Sequence, residues 1–270
     1  MGTSTRLPAP RGGLWRRASG AVTRSLNAVS SGSATTAGGI DPASHQQDPV
    51  AWSRAEIDKH CDTYLAALAR QLREDSTAFG LLSTAERAGA DLADTFAALA
   101  SRGPIALGAL TDSSPDERVD TFLARFVASV VGEGGLVADA AARRAALRCA
   151  EELLARRPEL ERSIRSGQPG DWTVLKELFC FLYRIFFADT VKELMTAVIA
   201  GKLALAFPAI AVLDPVGDIA YRIAEKISEH IPTPCDNPGS SKSDRSMFAA
   251  GRAMASSALP RALELAMGGV

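Results

Sequence analysis

The stretch Leu178-Phe179-Cys180-Phe181-Leu182-Tyr183-Arg184-Ile185-Phe186-Phe187-Ala188 carries a single charged side chain, Arg184. It sits inside residues 172–213, forty-two positions with only seven charges, and such a block has to be hidden from water. Burying one Phe or Leu is worth about 1.5–3 kcal/mol, so Phe179, Phe181, Leu182, Ile185, Phe186 and Phe187 form the strongest folding determinant in the chain. What hides them decides the fold: the protein's own helices, a second copy, a partner or a bilayer.

Working outward, the patterns on both sides are helical. Ser53-x-x-Glu56 after Asp48-Pro49 forms a start signal, and Ile57, Cys61, Leu65, Leu68 and Leu72 follow at steps of three and four. Ser83-x-x-Glu86 predicts the next start, with Gly103-Pro104 as its end. Ser114-Pro115-Asp116-Glu117 combines an N-cap, a first-turn proline and a Glu three residues on. Glycines 132, 134 and 135 precede a fourth helix that is expected to stop at Pro158. Ser166-Gly167-Gln168-Pro169-Gly170 is the best internal boundary. After it, Asp171 is expected to cap a helix through the apolar block, with Pro208 ending or kinking it. Asp214-Pro215 starts a further helix, and Asp244 a last one that Pro260 interrupts. No sustained period-two alternation and no hairpin dipeptide occur.

The expected fold class is therefore all-α: a bundle of about eight helices around a hydrophobic central helix, with a disordered basic N-terminal tail. Its parts are a tail over residues 1–47, an amphipathic bundle over 48–165, and the central and C-terminal helices over 171–265, the last two packed as one body.

Charge divides the chain the same way. Arg6, Arg11, Arg16, Arg17 and Arg24 precede the first acid, Asp41, which leaves 25 basic against 31 acidic side chains in residues 41–270, about −6. An acidic body repels a phosphate backbone, so no nucleic-acid partner is expected of it. The tail is rich in small and polar residues and lacks an apolar run of signal-peptide length. Within it, residues 14–29 place Leu14, Trp15, Ala18, Ala21, Val22, Leu26 and Val29 on one side at 100° per residue, with Arg16, Arg17 and Arg24 on the other. That outline fits an interfacial membrane-binding helix, an organellar transit peptide, or chance periodicity in a disordered tail. The Arg- and Ala-heavy composition has a bacterial character.

Residues 194–213 reach the length of a membrane span and hold one charge, Lys202. Nine Leu, Ile, Val and Phe residues contribute roughly −4 kcal/mol to insertion, while a central lysine costs about 2.5–3.5. With Gly201 and Pro208 opposing as well, the balance is near zero, and a buried core is the favoured reading. Cys61, Cys149, Cys180 and Cys235 lie far apart with no Cys-x-x-Cys pair, so reduced thiols in a cytoplasm are expected rather than a disulfide framework.

Chemical signatures are sparse. Gly201-Lys202 lacks the glycine and hydroxyl of a phosphate loop, Gly132-Glu133-Gly134 follows no strand, and neither a nucleophile elbow nor a zincin motif occurs. Two carboxylate pairs share a helix face at i and i+4, Asp189 with Glu193 and Asp214 with Asp218. They supply the alternative reading, a helical metal-dependent enzyme, against ordinary roles as polar stripe and helix cap. Arg143-Arg144 and Arg156-Arg157 read as solvated faces, and His60-Cys61 with His230 and Cys235 are too few for zinc.

The main expectation is a non-catalytic protein without cofactor, cytoplasmic and peripherally membrane-associated or self-associating. It would bind a protein partner or membrane surface through Leu14, Trp15, Arg16, Arg17, Val22, Arg24 and Leu26 of the head and Phe186, Phe187 and Lys202 of the apolar block.

Overall fold

The apolar block lies within the longest helix of the structure, a computed structural model that describes residues 54–111, 114–168, 174–206, 214–236 and 244–267. In chain order the helices are α1 (Arg54–Glu74), α2 (Leu81–Arg102), α3 (Pro115–Val131), α4 (Val137–Arg156), α5 (Pro158–Ser166), α6 (Lys176–Ala206), α7 (Asp214–His230) and α8 (Asp244–Ala266). Short 3-10 turns stand at Ala78–Gly80, Pro104–Leu107 and Pro234–Asp236, and no strand occurs among the described residues. The fold is an all-α bundle with α6 at its centre, packed by α4, α7, α2 and α8.

The 31 residues of α6 span about 46 Å at 1.5 Å per residue. Phe179, Leu182, Tyr183, Phe186 and Phe187 are 0% exposed. Aromatic edges lock the interior together: Phe179 lies 5.4 Å from Phe96 of α2 and 4.9 Å from Phe248 of α8, and Tyr183 lies 4.9 Å from Phe187. Edge-to-face pairs of this kind add about 0.5–1.5 kcal/mol each beyond the area buried. The Tyr183 hydroxyl donates to the Gly251 carbonyl at 2.9 Å, so its one polar atom is satisfied inside the core. Phe181 departs from the expected concealment. At 36% exposed it faces outward, where the Arg156 guanidinium stacks 3.9 Å from its ring centroid.

Close approach of α2, α6 and α8 depends on a missing side chain. A Cβ on Gly89 of α2 would stand 2.4 Å from the Phe187 ring and 3.2 Å from the Ala255 Cβ of α8. The long α2–α8 contact is otherwise lined by alanines such as Ala85, Ala88, Ala93, Ala255, Ala258 and Ala262, which let the two helix backbones come near. The linker before α6 therefore separates the halves in sequence, while α2 with α8 and α4 with α6 join them in one core.

Local signals explain most boundaries, with instructive exceptions. The Ser114 capping box forms, its backbone N–H donating to the Glu117 carboxylate at 3.2 Å. The expected Ser83 start does not: α2 begins at Leu81, and the Ser83 hydroxyl donates to the Gly80 carbonyl instead. The turn before it is set by backbone shape, with Phe79 at φ 60 and Gly80 at φ 67. A Cβ on Gly80 would meet only the free end of the exposed Leu136 side chain, at 2.4 Å, so it is the left-handed backbone that favours glycine there. Pro158 opens α5 rather than only ending α4, because a first-turn proline forfeits no helical hydrogen bond. α6 starts at Lys176, five residues beyond the expected Asp171 cap. α8 runs through Pro260, where the sequence predicted an interruption.

The cysteines correct the sequence reading. Cys180 of α6 and Cys235 are joined by a disulfide across a sequence separation of 55. Packing of α7 along α6 brings these two together, which no spacing rule could reveal. Cys61 and Cys149 are free and buried; burial pushes the Cys61 thiol up to about 12 and that of Cys149 well above its ordinary value.

Candidate binding surface

Of the residues expected to bind a partner or membrane, Leu14, Trp15, Arg16, Arg17, Val22, Arg24 and Leu26 lie outside the described residues. Lys202 falls on α6 at a position whose side chain is likewise outside them. Phe186 and Phe187 are placed, and both are fully enclosed. Phe187 fills the space left by Gly89, and Phe186 meets it edge to face at 5.4 Å. In this conformation the two rings are core, and contact with a bilayer or partner would need the bundle to open. The physical reason is simple: α6 is apolar nearly all round, and such a helix is covered on all sides by its neighbours.

No described helix is long and apolar enough to cross a membrane. The charges that weakened the span argument do structural work instead. Asp189 is 8% exposed; its Oδ1 accepts from Lys192 Nζ at 2.9 Å and its Oδ2 lies 3.1 Å from Arg148 of α4. Glu193 accepts from Arg144 at 3.1 Å. The pair suggested for a metal ion is thus engaged by three cations, Lys192 of α6 itself and Arg144 and Arg148, the two that tie α6 to α4. Asp218 is exposed on α7, and Asp214 has no described side chain to set beside it. Among the described residues no three His, Cys, Asp or Glu groups come together as a metal site.

Other polar residues have similar structural roles. Arg143 donates to the carbonyls of Gly132 and Gly134, holding the turn before α4, so it is a clasp rather than a free cation. Asp139, which the sequence reading passed over, is 3% exposed and gathers three donors: the Thr84 hydroxyl at 2.9 Å, Arg87 at 2.8 Å and the Leu136 backbone N–H at 3.0 Å. Its position three residues after the cap residue Leu136 was the available signal, since an acid there can reach back to the cap.

A broad apolar groove of about 1060 Å³ lies between α1 and the end of α8. Leu65, Ala66, Ala69 and Leu72 of α1 face Leu263, Leu265 and Met267 across it, with Leu82 at one end and Asp62, Arg73 and Glu264 at the rim. Leu265 is 46% exposed there. A smaller cleft of about 460 Å³ lies between the end of α2 and α5, where Ile105 stands 68% exposed. α1 is held to α7 by two ion pairs in matching register, Arg222 to Asp58 at 2.6 Å and Lys226 to Asp62 at 2.5 Å. The Arg222 hydrogen bond holds the Asp58 carboxyl below its usual range. Since both partners advance by four residues in the same direction, α1 and α7 run parallel.

Comparison with protein-family models, with curated proteins and with solved structures matched none of them to this chain.

Proposed function

We propose that this protein is a non-catalytic helical binding protein whose recognition element is the basic amphipathic head, acting on an anionic surface. The observation that supports this reading most is the enclosure of the α6 aromatics. With Phe179, Phe186 and Phe187 shut inside a closed core, the apolar block serves as the rigid centre. Recognition then falls to the head, where Leu14, Trp15, Val22 and Leu26 alternate with three arginines at helical spacing. Such a segment gains apolar burial and charge attraction together at an anionic interface. The metal-dependent alternative loses support, because Asp189 and Glu193 already balance Arg144, Arg148 and Lys192.

The experiment is a flotation assay with vesicles of phosphatidylcholine alone and with phosphatidylserine added, beside a matched column of immobilised polyglutamate. Binding to the serine-lipid vesicles in low salt, lost in Trp15→Ala with Arg16→Ala and on deletion of residues 1–40, supports a membrane surface. Retention on polyglutamate alone points to an acidic protein. Equal binding by wild type and both variants on either matrix would remove the head from recognition.

This reading places the protein in the cytoplasm at the periphery of the membrane. Persistent disulfides are rare in that compartment. Blocking thiols at the moment of lysis of the native cells tests the placement: an intact Cys180–Cys235 bond would assign the protein to an oxidising compartment instead.

A further inference from the structure

Cys180 and Cys235 stand in unlike surroundings, and the difference gives their bond a direction. Cys180 is 6% exposed on α6, whereas Cys235, half-buried in the 3-10 turn after α7, is the more accessible of the two. Lys176 and Arg184 lie one turn before and one turn after Cys180, so all three share one stripe of α6. Side chains on a helix lean toward its N-terminus, which carries the Arg184 side chain back over the turn that holds Cys180. The Arg184 Nε is buried and has no hydrogen-bond partner among the described residues. A buried cationic donor without an acceptor is costly, and the Cys180 sulfur one turn away is neutral while bonded and an anion once released.

Cys235 has the opposite electrostatic setting. The Asp236 carboxylate follows it directly in the chain, fixed in place by the Thr233 N–H and hydroxyl. A negative charge is thus favoured on the Cys180 sulfur and disfavoured on that of Cys235. Glu177, three residues before Cys180, is exposed, and water screens its charge. The Cys235 sulfur lies 3.6 Å from the Lys176 carbonyl, which stands ready to accept its S–H in the reduced state. Packing apart from the bond holds both segments in place. A Cβ on Gly251 of α8 would stand 2.9 Å from Phe179 and 3.3 Å from Pro234, the residues that precede Cys180 and Cys235. Opened, the pair therefore stays where it can close again.

We propose that Cys180–Cys235 is a reversible thiol-exchange site, at which a small external thiol attacks Cys235 and Cys180 departs as a thiolate received by Arg184. In the first step the incoming thiolate forms a new S–S bond to Cys235, and the electron pair of the breaking bond leaves on Cys180. A second small thiolate then attacks the first one's sulfur. The two leave together as their own disulfide, and the Cys235 thiolate takes a proton from water. The protein gains two electrons, and the small thiols supply them. Exchange is faster when the departing thiol is the more acidic one, so the cations beside Cys180 and the exposure of Cys235 favour the same direction of attack. Cys61 and Cys149, buried and with thiols of weakened acidity, take no part. The chemistry belongs to the pair wherever the protein resides. In a reducing cytoplasm it makes the bond transient, set by the balance of small thiols and disulfides around it.

The test treats the oxidised full chain with millimolar glutathione, quenches with acid at intervals and maps the cysteine peptides by mass spectrometry. Wild type is expected to lose the bond while remaining folded by circular dichroism, with glutathione caught on Cys235. Arg184→Gln is expected to slow that loss at least threefold, and Arg184→Lys to restore most of the rate. In the reduced wild type, iodoacetamide labelling of Cys180 should reach half its maximal rate below the ordinary thiol value of about 8.5. Arg184→Gln should move that midpoint up by about one pH unit, a change that a purely structural role would not produce. A bond that resists glutathione in the folded protein would overturn the proposal. So would glutathione on Cys180 in place of Cys235, equal rates for wild type and Arg184→Gln, or a wild-type labelling midpoint at or above the ordinary value. The pH profile of wild type needs no variant, so a substitution that fails to fold leaves the outcome decided.

Discussion

Reducing the Cys180–Cys235 bond should destabilise the protein by about 4 kcal/mol, and nearly all of that loss should arise in the unfolded chain. The bond closes a loop of 55 residues. Loop-closure entropy of that length, about 14 cal/mol/K in the polymer treatment, gives about 4.2 kcal/mol at 25 °C. The native state has little reason to loosen on reduction. Thr233 and Pro234 remain buried, and both the Thr233 backbone N–H and its hydroxyl donate to Asp236 at 2.7 and 2.9 Å. Tyr183 and Phe179 also hold α8 without help from the sulfurs. The assay is equilibrium urea unfolding by far-ultraviolet circular dichroism on oxidised protein, on protein kept reduced by phosphine, and on Cys235→Ser. With an m-value of about 2.5 kcal/mol/M, the midpoint should fall by about 1.6 M in both perturbed samples, and Cys235→Ser should track the reduced wild type. Cys61 and Cys149 are buried in the folded protein and are present in every sample, so they are common to all three unfolding curves. Coincident midpoints for oxidised and reduced protein would refute the reasoning, as would four alkylatable thiols in the oxidised sample under denaturing, non-reducing conditions.

Two further outcomes concern buried polar groups. Asp139→Ala strips the partner from Arg87, Thr84 and the Leu136 N–H at the α2–α4 junction, and a loss of about 3 kcal/mol is expected in the same unfolding assay. A cost below 0.5 kcal/mol would show the cluster to be incidental. His60 has a folded-state pKa below its ordinary 6.5 because burial disfavours the charged ring. Its contribution is therefore complete above the unfolded-state value and is lost as pH falls from about 6.5 toward the lowered folded value. His60→Gln should flatten that limb of the stability profile, and a slope that survives the substitution would assign it to carboxylates.

The head and the body differ sharply in how far residues alone carried the argument. Apolar stripes at three- and four-residue steps give α1, α3 and α7 nearly to the residue, because capping groups and prolines act within one turn of chain. The Ser83 start failed, since Phe79 and Gly80 adopt positive φ to fit beneath Leu136, a contact made between segments distant in sequence. Asp189 with Glu193 looked like a ligand pair when only α6 was in view. The three cations that engage them come from α6 itself and from α4, and only Lys192 was adjacent in sequence.

Hydrophobic periodicity and capping chemistry were enough to establish an all-helical chain built on a long apolar helix, because helix formation and amphipathic burial are read over a few turns. Which neighbours enclose that helix, that Phe181 surfaces while Phe186 and Phe187 do not, and that Cys180 meets Cys235 all depended on helix packing. Those outcomes turn on contacts between residues about fifty to one hundred and seventy positions apart, such as Gly89 with Ala255 and Cys180 with Cys235. No local pattern encodes such distances, since they are set by how the surfaces of eight helices interlock at close-packed density.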